Sequence, residues 1–356
     1  MVATLASAAT LLWLGKVLDH ASIALVAAGV FTGLALFSLS LGLASNTFAL
    51  LLTLYGLRLF GQGMMTHTAM TAMGKWYVAA RGRAVATAGI GYQLGEGVIP
   101  FIIISALSTF YWRHLWFVGA GLLLLVAPVI WLLFRRERLP NSAEAEIAAT
   151  GHQWTRAEVL KDSLFYLLCF GILAPAFIGT AHFFHFIHIA EYKNWDTTWA
   201  SSTYMALAIS TIAWALISGW LIDKYSAKHL LPFFLLPMGA GCLALAVSSA
   251  PSALVAFMIL LGISYGISSS LFSALWPEIY GSKHLGSIRA MSVAVMVLSS
   301  ALGPGATGTL MDLGVSYNTQ LWAMGAYAFG CSFLMANISR RLIARGMQHR
   351  ASTSDR

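Results

Sequence analysis

Arg58 and Glu96 are the residues whose chemistry most needs explaining, because each stands inside a long apolar stretch. A charge held in hydrocarbon costs at least about 2.5–3.5 kcal/mol unless it is paired or hydrated, so a retained one marks a function. Arg58 lies eleven residues past Thr47, where its stretch begins, and Glu96 lies twelve before Ser108, where its own ends. At about 1.5 Å per residue both sit about 17 Å deep, near the middle of a bilayer and within reach of each other. Gln62 and Thr66 continue the Arg58 face of a helix, while Tyr92 and Gln93 share the Glu96 side, giving each helix a polar stripe. A guanidinium grips a carboxylate with a planar fork, and a buried carboxyl with a raised pKa takes up and releases a proton. The two residues read either as an anion site beside a proton site or as an ion pair that only ties two helices.

Other constellations carry less. His182, His185 and His188 recur every three residues among phenylalanines, a spacing that drifts about 60° per step and cannot converge three rings on one ion. No metal is expected, and His185 is kept as a polar rim of an outward cavity. Gly262-Ile263-Ser264-Tyr265-Gly266 has the letters of a hydrolase nucleophile elbow. That chemistry needs a strand-to-helix turn, whereas this copy lies in an apolar helix, so close packing is expected, with Tyr265 and Ser268 as cavity candidates. Cys169, Cys242 and Cys331 fall inside apolar stretches at no metal-ligand spacing and read as packing residues.

The elements that position these residues are membrane helices. Of the 356 residues 58% are hydrophobic and 10% charged, against about a quarter charged in soluble domains. Apolar stretches of membrane-spanning length recur near 1–18, 22–44, 47–73, 84–108, 113–134, 164–189, 200–222, 229–249, 253–275, 287–311 and 318–342. These predict an all-α integral membrane fold of eleven spans, since lipid leaves open backbone without hydrogen-bond partners. The net charge of +8 does not imply nucleic acid, because alternate links hold 18 of the 21 Lys and Arg, the intervening links hold Arg113 and Lys193, and Arg58 is within a span. Basic links face the cytoplasm, which places the C-terminus there and the first residue outside.

An internal repeat organises the spans. Gly15-Lys16-Val17-Leu18-Asp19 returns as Gly219-Trp220-Leu221-Ile222-Asp223, and Arg83-Ala84 returns as Arg289-Ala290, at offsets of 204 and 206. Parallel repeats of this kind surround a site near the midplane. The chain divides into a five-span bundle (1–134), a linker (135–163), a six-span bundle (164–343) and a tail (344–356). In the linker Thr155-Arg156-Ala157-Glu158 fits a capping box that opens a short interfacial helix. The repeat places the counterpart of the 164–189 span about 40 residues before Met1, so a first span is expected to be missing.

The repeated Gly-x-x-x-Asp at the basic ends of two spans resembles the loop signature of the major facilitator superfamily, over nearly the whole chain. The second copy is the fuller, with Gly219, Asp223, Lys224 and Lys228, whereas the first pairs Gly15 and Asp19 with His20 where a basic residue is usual. The resemblance implies a charge latch closing the cytoplasmic ends, to which Arg83 and Arg289 belong. Arg58-x-x-Gly61-x-Gly63 resembles the family's cavity-lining Arg-Gly motif at a spacing one residue short. Gly91-x-x-x-Gly95 lacks the proline that exporters of the family carry there. The stretches Lys75–Ala84 and Pro277–Arg289 resemble bacterial monocarboxylate and oxalate/formate carriers. The resemblance implies a secondary carrier, not an enzyme and without cofactor, that moves a small organic anion coupled to a proton, by symport, through an inner membrane. An exporter of amphiphilic compounds, with Trp214 and Tyr204 lining its cavity, and a non-transporting sensor, scaffold or truncated inactive carrier are the alternatives.

Overall fold

Helix starts are written in short polar side chains. Ser22, Asn46, Asp162 and Asp196 each accept a hydrogen bond from a backbone N–H two or three residues on, at 2.7–3.3 Å, which satisfies donors a helix otherwise leaves bare. Two helices stop at Gly281 and Gly314, whose φ values of 85° and 86° suit a residue without Cβ. The computed structural model describes residues 2–77, 81–107, 109–136 and 152–354; the side chain of Glu96 and most of the linker lie outside the described part.

Among the described residues every regular element is helical. The first bundle contains α1 (Val2–Leu14), α2 (Val17–His20), α3 (Ile23–Leu43), α4 (Thr47–Trp76), α5 (Arg81–Leu107) and α6 (Trp112–Phe134). After α7 (Arg156–Val159) come α8 (Ser163–Phe184), α9 (Phe186–Tyr192), α10 (Thr197–Tyr225), α11 (Ala227–Leu230), α12 (Leu236–Val247), α13 (Pro251–Tyr280), α14 (Leu285–Asp312) and α15 (Tyr317–Ser354). Among the described residues eight helices are long and apolar enough to cross a membrane. The other three expected spans fall on α5, on the α1–α2 pair broken at Gly15 and Lys16, and on α11–α12. There the turn at 231–235 contains Pro232, and Pro237 opens α12, so the 229–249 stretch is not one continuous helix.

Within the second bundle α10 lies along α13, α8 along α14, and α12 between α13 and α15. The closest approach is made by Gly262 and Gly266: a Cβ there would fall 2.6 and 2.5 Å from the carbonyl oxygens of Leu207 and Thr211. Ser264, between them, has its hydroxyl occupied by the backbone N–H of Met238 at 2.9 Å. Trp276, Tyr280, Phe234 and Phe257 are fully buried in this bundle's core. The first bundle has a smaller core around Leu11, Leu18, Val30, Leu59 and Met64, completed by Val293 and Val297 of α14. The bundles meet along α1 against α14 and along α5 against α10 and α13.

Candidate functional site

Asp19 is the point where the two bundles are tied. Its two carboxylate oxygens accept the backbone N–H groups of Gly286 and Ser287, each at 2.7 Å. These are the first turn of α14, so Asp19 caps a helix 267 residues away, where bare N–H groups and the helix dipole both favour an anion. Lys75 adds a charge 3.6 Å from the same carboxylate and donates to the Leu18 carbonyl at 2.7 Å. Two glycines make room. A Cβ at Gly286 would lie 2.7 Å from the Asp19 carboxylate, and one at Gly15 would collide with Ala290.

The second copy of the motif makes a different contact. Arg83 of α5 reaches Asp223 of α10 through Nε at 2.8 Å and through its own backbone N–H at 3.3 Å. Lys228 pairs with Glu278 at 3.3 Å, inside the second bundle. Lys224 lies over the rings of Trp220 and Tyr225, 5.0 and 5.1 Å from their centres, and Gly219 is buried. Arg289 does not mirror Arg83: it is 6% exposed, and its Nε and Nη1 have no hydrogen-bond partner among the described residues. All these groups lie at the end of the molecule that carries the basic links.

Arg58 lies near the middle of α4, and the chain there leaves the α-helical path: Arg58–Met65, with Gly61 and Gly63 in it, is wound as a π-helix. Such turns are rare and recur at functional sites. Arg58 is exposed and donates from Nη1 to Gln62 Oε1 at 2.7 Å, so the first two members of the predicted stripe are joined. Thr66 follows as the first residue of regular helix, and Tyr92 is 60% exposed on α5. The helix carrying Glu96 packs along Thr66–Trp76 of α4 rather than along Arg58–Met65. His185 and Tyr265 stand in the second bundle, both against neighbours of α8. His185 ends α8 and donates to the Pro304 carbonyl at 3.1 Å; Tyr265 donates to the Pro175 carbonyl at 3.2 Å and fills the space over Gly179. The three histidines have three surroundings: His182 is buried beside Tyr317 and Phe257, His185 faces Pro304, and His188 is exposed.

Sequence reasoning missed Lys75 and His67 as members of the tie, counting the first as a topology charge. His67 is fully buried one helix over, its Nε2 3.3 Å from the Gly15 carbonyl. Its signal was an ionisable side chain two turns before Lys75 on the same helix.

The model of the Major Facilitator Superfamily matches residues 1–304. The chain belongs to the Major Facilitator Superfamily. Solved structures agree at the level of fold. FucP, a Major Facilitator Superfamily transporter in the outward conformation, superposes with a TM-score of 0.72 at 12% identity, over 96% of this chain and 88% of that one. The proton:xylose symporter XylE gives 0.74 at 13% identity, covering 94% and 84%. The human organic anion transporter MFSD10 gives 0.75 at 11%, covering 94% and 82%. No curated protein matches the sequence. As a Major Facilitator Superfamily member the chain is a multi-pass membrane protein and a secondary transporter of a small molecule.

Proposed function

We infer that the chain is a proton-coupled carrier of a small organic anion, of the monocarboxylate kind, working by alternating access in the inner membrane with its C-terminus in the cytoplasm. The observation that carries this reading is Arg58, an exposed cation in the middle of a membrane span, bonded within its own helix to Gln62 on a π-turn. A guanidinium bonded to a neutral amide keeps its charge for an anionic ligand, and its planar fork fits a carboxylate. Thr66, Tyr92, His185 and Tyr265 are assigned to the walls of the same pathway, and Glu96 to the proton. Asp19, Asp223, Arg83, Arg289, Lys224, Lys228, Gly15 and Gly219 form the cytoplasmic gate. Residues 1–134 and 164–343 are the two rocking bodies, joined by the 135–163 linker and followed by a cytoplasmic tail at 344–356. The fold accommodates both parts of the proposal, since similar structures include proton symporters and an organic anion transporter.

Uptake of radiolabelled monocarboxylates into proteoliposomes tests it. An inward proton gradient should accelerate uptake; Arg58→Lys should slow it about tenfold or more with insertion unchanged, and Glu96→Gln should abolish the response to the gradient. Unchanged uptake in Arg58→Lys removes Arg58 from the site, and no flux of any solute favours a sensor or scaffold. A second reading, an exporter of amphiphiles, is favoured by a cavity of about 360 Å³ lined by Trp214, Ser218, Leu221, Tyr225, Phe233 and Ile267. Tyr204 is instead packed on Phe183 and Phe186. Efflux of an apolar dye with no carboxylate uptake would decide for that reading.

A further inference from the structure

The contact between α1, α4 and α14 holds an ionisable ring whose function nothing above uses. His67 is 0% exposed, and its Nε2, 3.3 Å from the Gly15 carbonyl, must donate to it, which leaves Nδ1 as a bare lone pair. Nδ1 has no partner among the described residues; neither do Nε and Nη1 of Arg289, nor the hydroxyls of Thr68 and Thr71. Native proteins satisfy almost every buried polar group, so orphaned nitrogens on two ionisable side chains, His67 of one bundle and Arg289 of the other, single out this contact.

The surroundings of the ring are specific. Ala290 of α14 and the ring both close on Gly15, which places the ring beside the turn that carries Arg289, and Lys75 stands two turns further along α4. From α2 the Asp19 carboxylate is engaged by Gly286, Ser287 and Lys75. On α1 the nearest group is the Gly15 carbonyl, and α14 adds the carbonyl of Gly286. The α13 side presents Pro277 and the Ser273 carbonyl at Gly74, α3 carries no charged residue, and Arg83 of α5 is turned to Asp223. A proton placed on this ring while the bundles touch would therefore be shut away from water and would share the buried contact with the unpaired guanidinium of Arg289. Separation of the bundles removes both obstacles together, because Arg289 leaves with α14 and water enters.

We propose that His67 is a proton-binding residue of the transport cycle, neutral while the basic ends of the bundles are latched and protonated when they part. Proton binding then favours the open latch, and closing the latch expels the proton, the two being one coupling seen from either site. The proposal rests on reading the Asp19 contact as a latch, and it needs no assumption about the solute.

The test is a distance measurement without substrate. Spin labels on Val17→Cys and Lys283→Cys, both exposed positions on opposite bundles, report the opening in nanodiscs, with Cys169, Cys242 and Cys331 replaced by Ala. If only the open form is protonated, with an imidazole of ordinary pKa near 6.5, the open-to-closed ratio rises about tenfold between about pH 7.5 and 5.5. His67→Gln should reduce that change to less than about twofold. Arg289→Gln should also shrink it, since the closed form then tolerates the proton, and this variant decides the matter where His67→Gln does not insert. A tenfold response that persists in both overturns the proposal. So does a response lost in Glu96→Gln and kept in His67→Gln, which assigns the proton to Glu96. Because no solute enters, failure of the anion reading leaves this result standing.

Discussion

Asp19 acts as a helix cap lent by one bundle to the other. Charge-assisted hydrogen bonds contribute roughly 1.5–3 kcal/mol each, and this carboxylate accepts two from backbone N–H groups that have no helical partner. Asp19→Asn removes the charge and one acceptor, so the latched form should lose roughly 1.5–3 kcal/mol, a shift of tenfold or more toward the open form in the spin-label distance. Gly286→Ala should do the same by another route, because its Cβ would press the carboxylate at 2.7 Å. The double variant should be no worse than either alone; full additivity would show that Gly286 acts elsewhere. Gly15, Asp19 and Asp223 were legible at this scale, since a glycine and an acid at fixed spacing recur in the chain. The partner of Asp19 was not. It is a pair of backbone amides, which every residue type supplies, so no letter in the sequence announces them. Arg289 was read as the twin of Arg83, and the repeat does predict its position; it does not predict that α14's own N-terminus would take the carboxylate first.

Helices show where periodicity suffices and where it fails. Eight of the eleven apolar stretches appear, among the described residues, as helices long and apolar enough to cross a membrane, and the other three fall on α5, the broken α1–α2 pair and α11–α12. The π-turn at Arg58–Met65 was invisible, because nothing in the apolar pattern of those residues separates it from an ordinary helix. Tyr265 and Gly179 illustrate packing between elements. A methyl at Gly179 would occupy the space of the Tyr265 hydroxyl, so Gly179→Ala should lower the melting temperature by the equivalent of about 1–3 kcal/mol. Adding Tyr265→Ala should restore part of it, and no restoration would mean that the strain lies elsewhere. The linker ends in a second pH-sensitive tie. Burial alone would push the Asp162 carboxyl up, but hydrogen bonds from Arg345, the Leu164 N–H and Tyr280 hold it below its usual range. The Thr155 backbone and hydroxyl, with His152, bring Glu158 down to about 2. Both carboxyls are depressed in the folded chain, so their contribution is complete above about pH 4.5 and is lost as the pH falls toward 2. Thermal stability measured between pH 7 and pH 3 should drop below about pH 4.5, and Arg345→Ala should flatten part of that drop.

For the whole molecule, the basic links decide more than topology. Eighteen of 21 Lys and Arg were assigned to one side from sequence, and on that same side Arg83 ties the bundles through Asp223, while Asp19, paired with Lys75 of its own bundle, ties them through the N–H groups of Gly286 and Ser287. These polar ties sit at the edge of a contact that is otherwise apolar, where Val293 and Val297 of α14 pack against Leu11 and Leu18 of the first bundle. The two-bundle plan was readable because the repeat is parallel and its landmarks agree to two residues. The identity of the solute was not, because a binding site is made by side chains from helices far apart in sequence. The latch itself offers the most direct trial of the account. A Cβ at Gly286 would stand 3.0 Å from that of Leu18, closer than the roughly 3.5–4.5 Å of a disulfide, so Leu18→Cys with Gly286→Cys should weaken the latch while reduced, as Gly286→Ala does, and cross-link under mild oxidation each time the bundles close. The measurement is solute flux in proteoliposomes before oxidation, after it, and after reduction. The account predicts that flux stops when the bridge forms and returns when it is reduced; flux that continues unchanged through a fully cross-linked chain would contradict it.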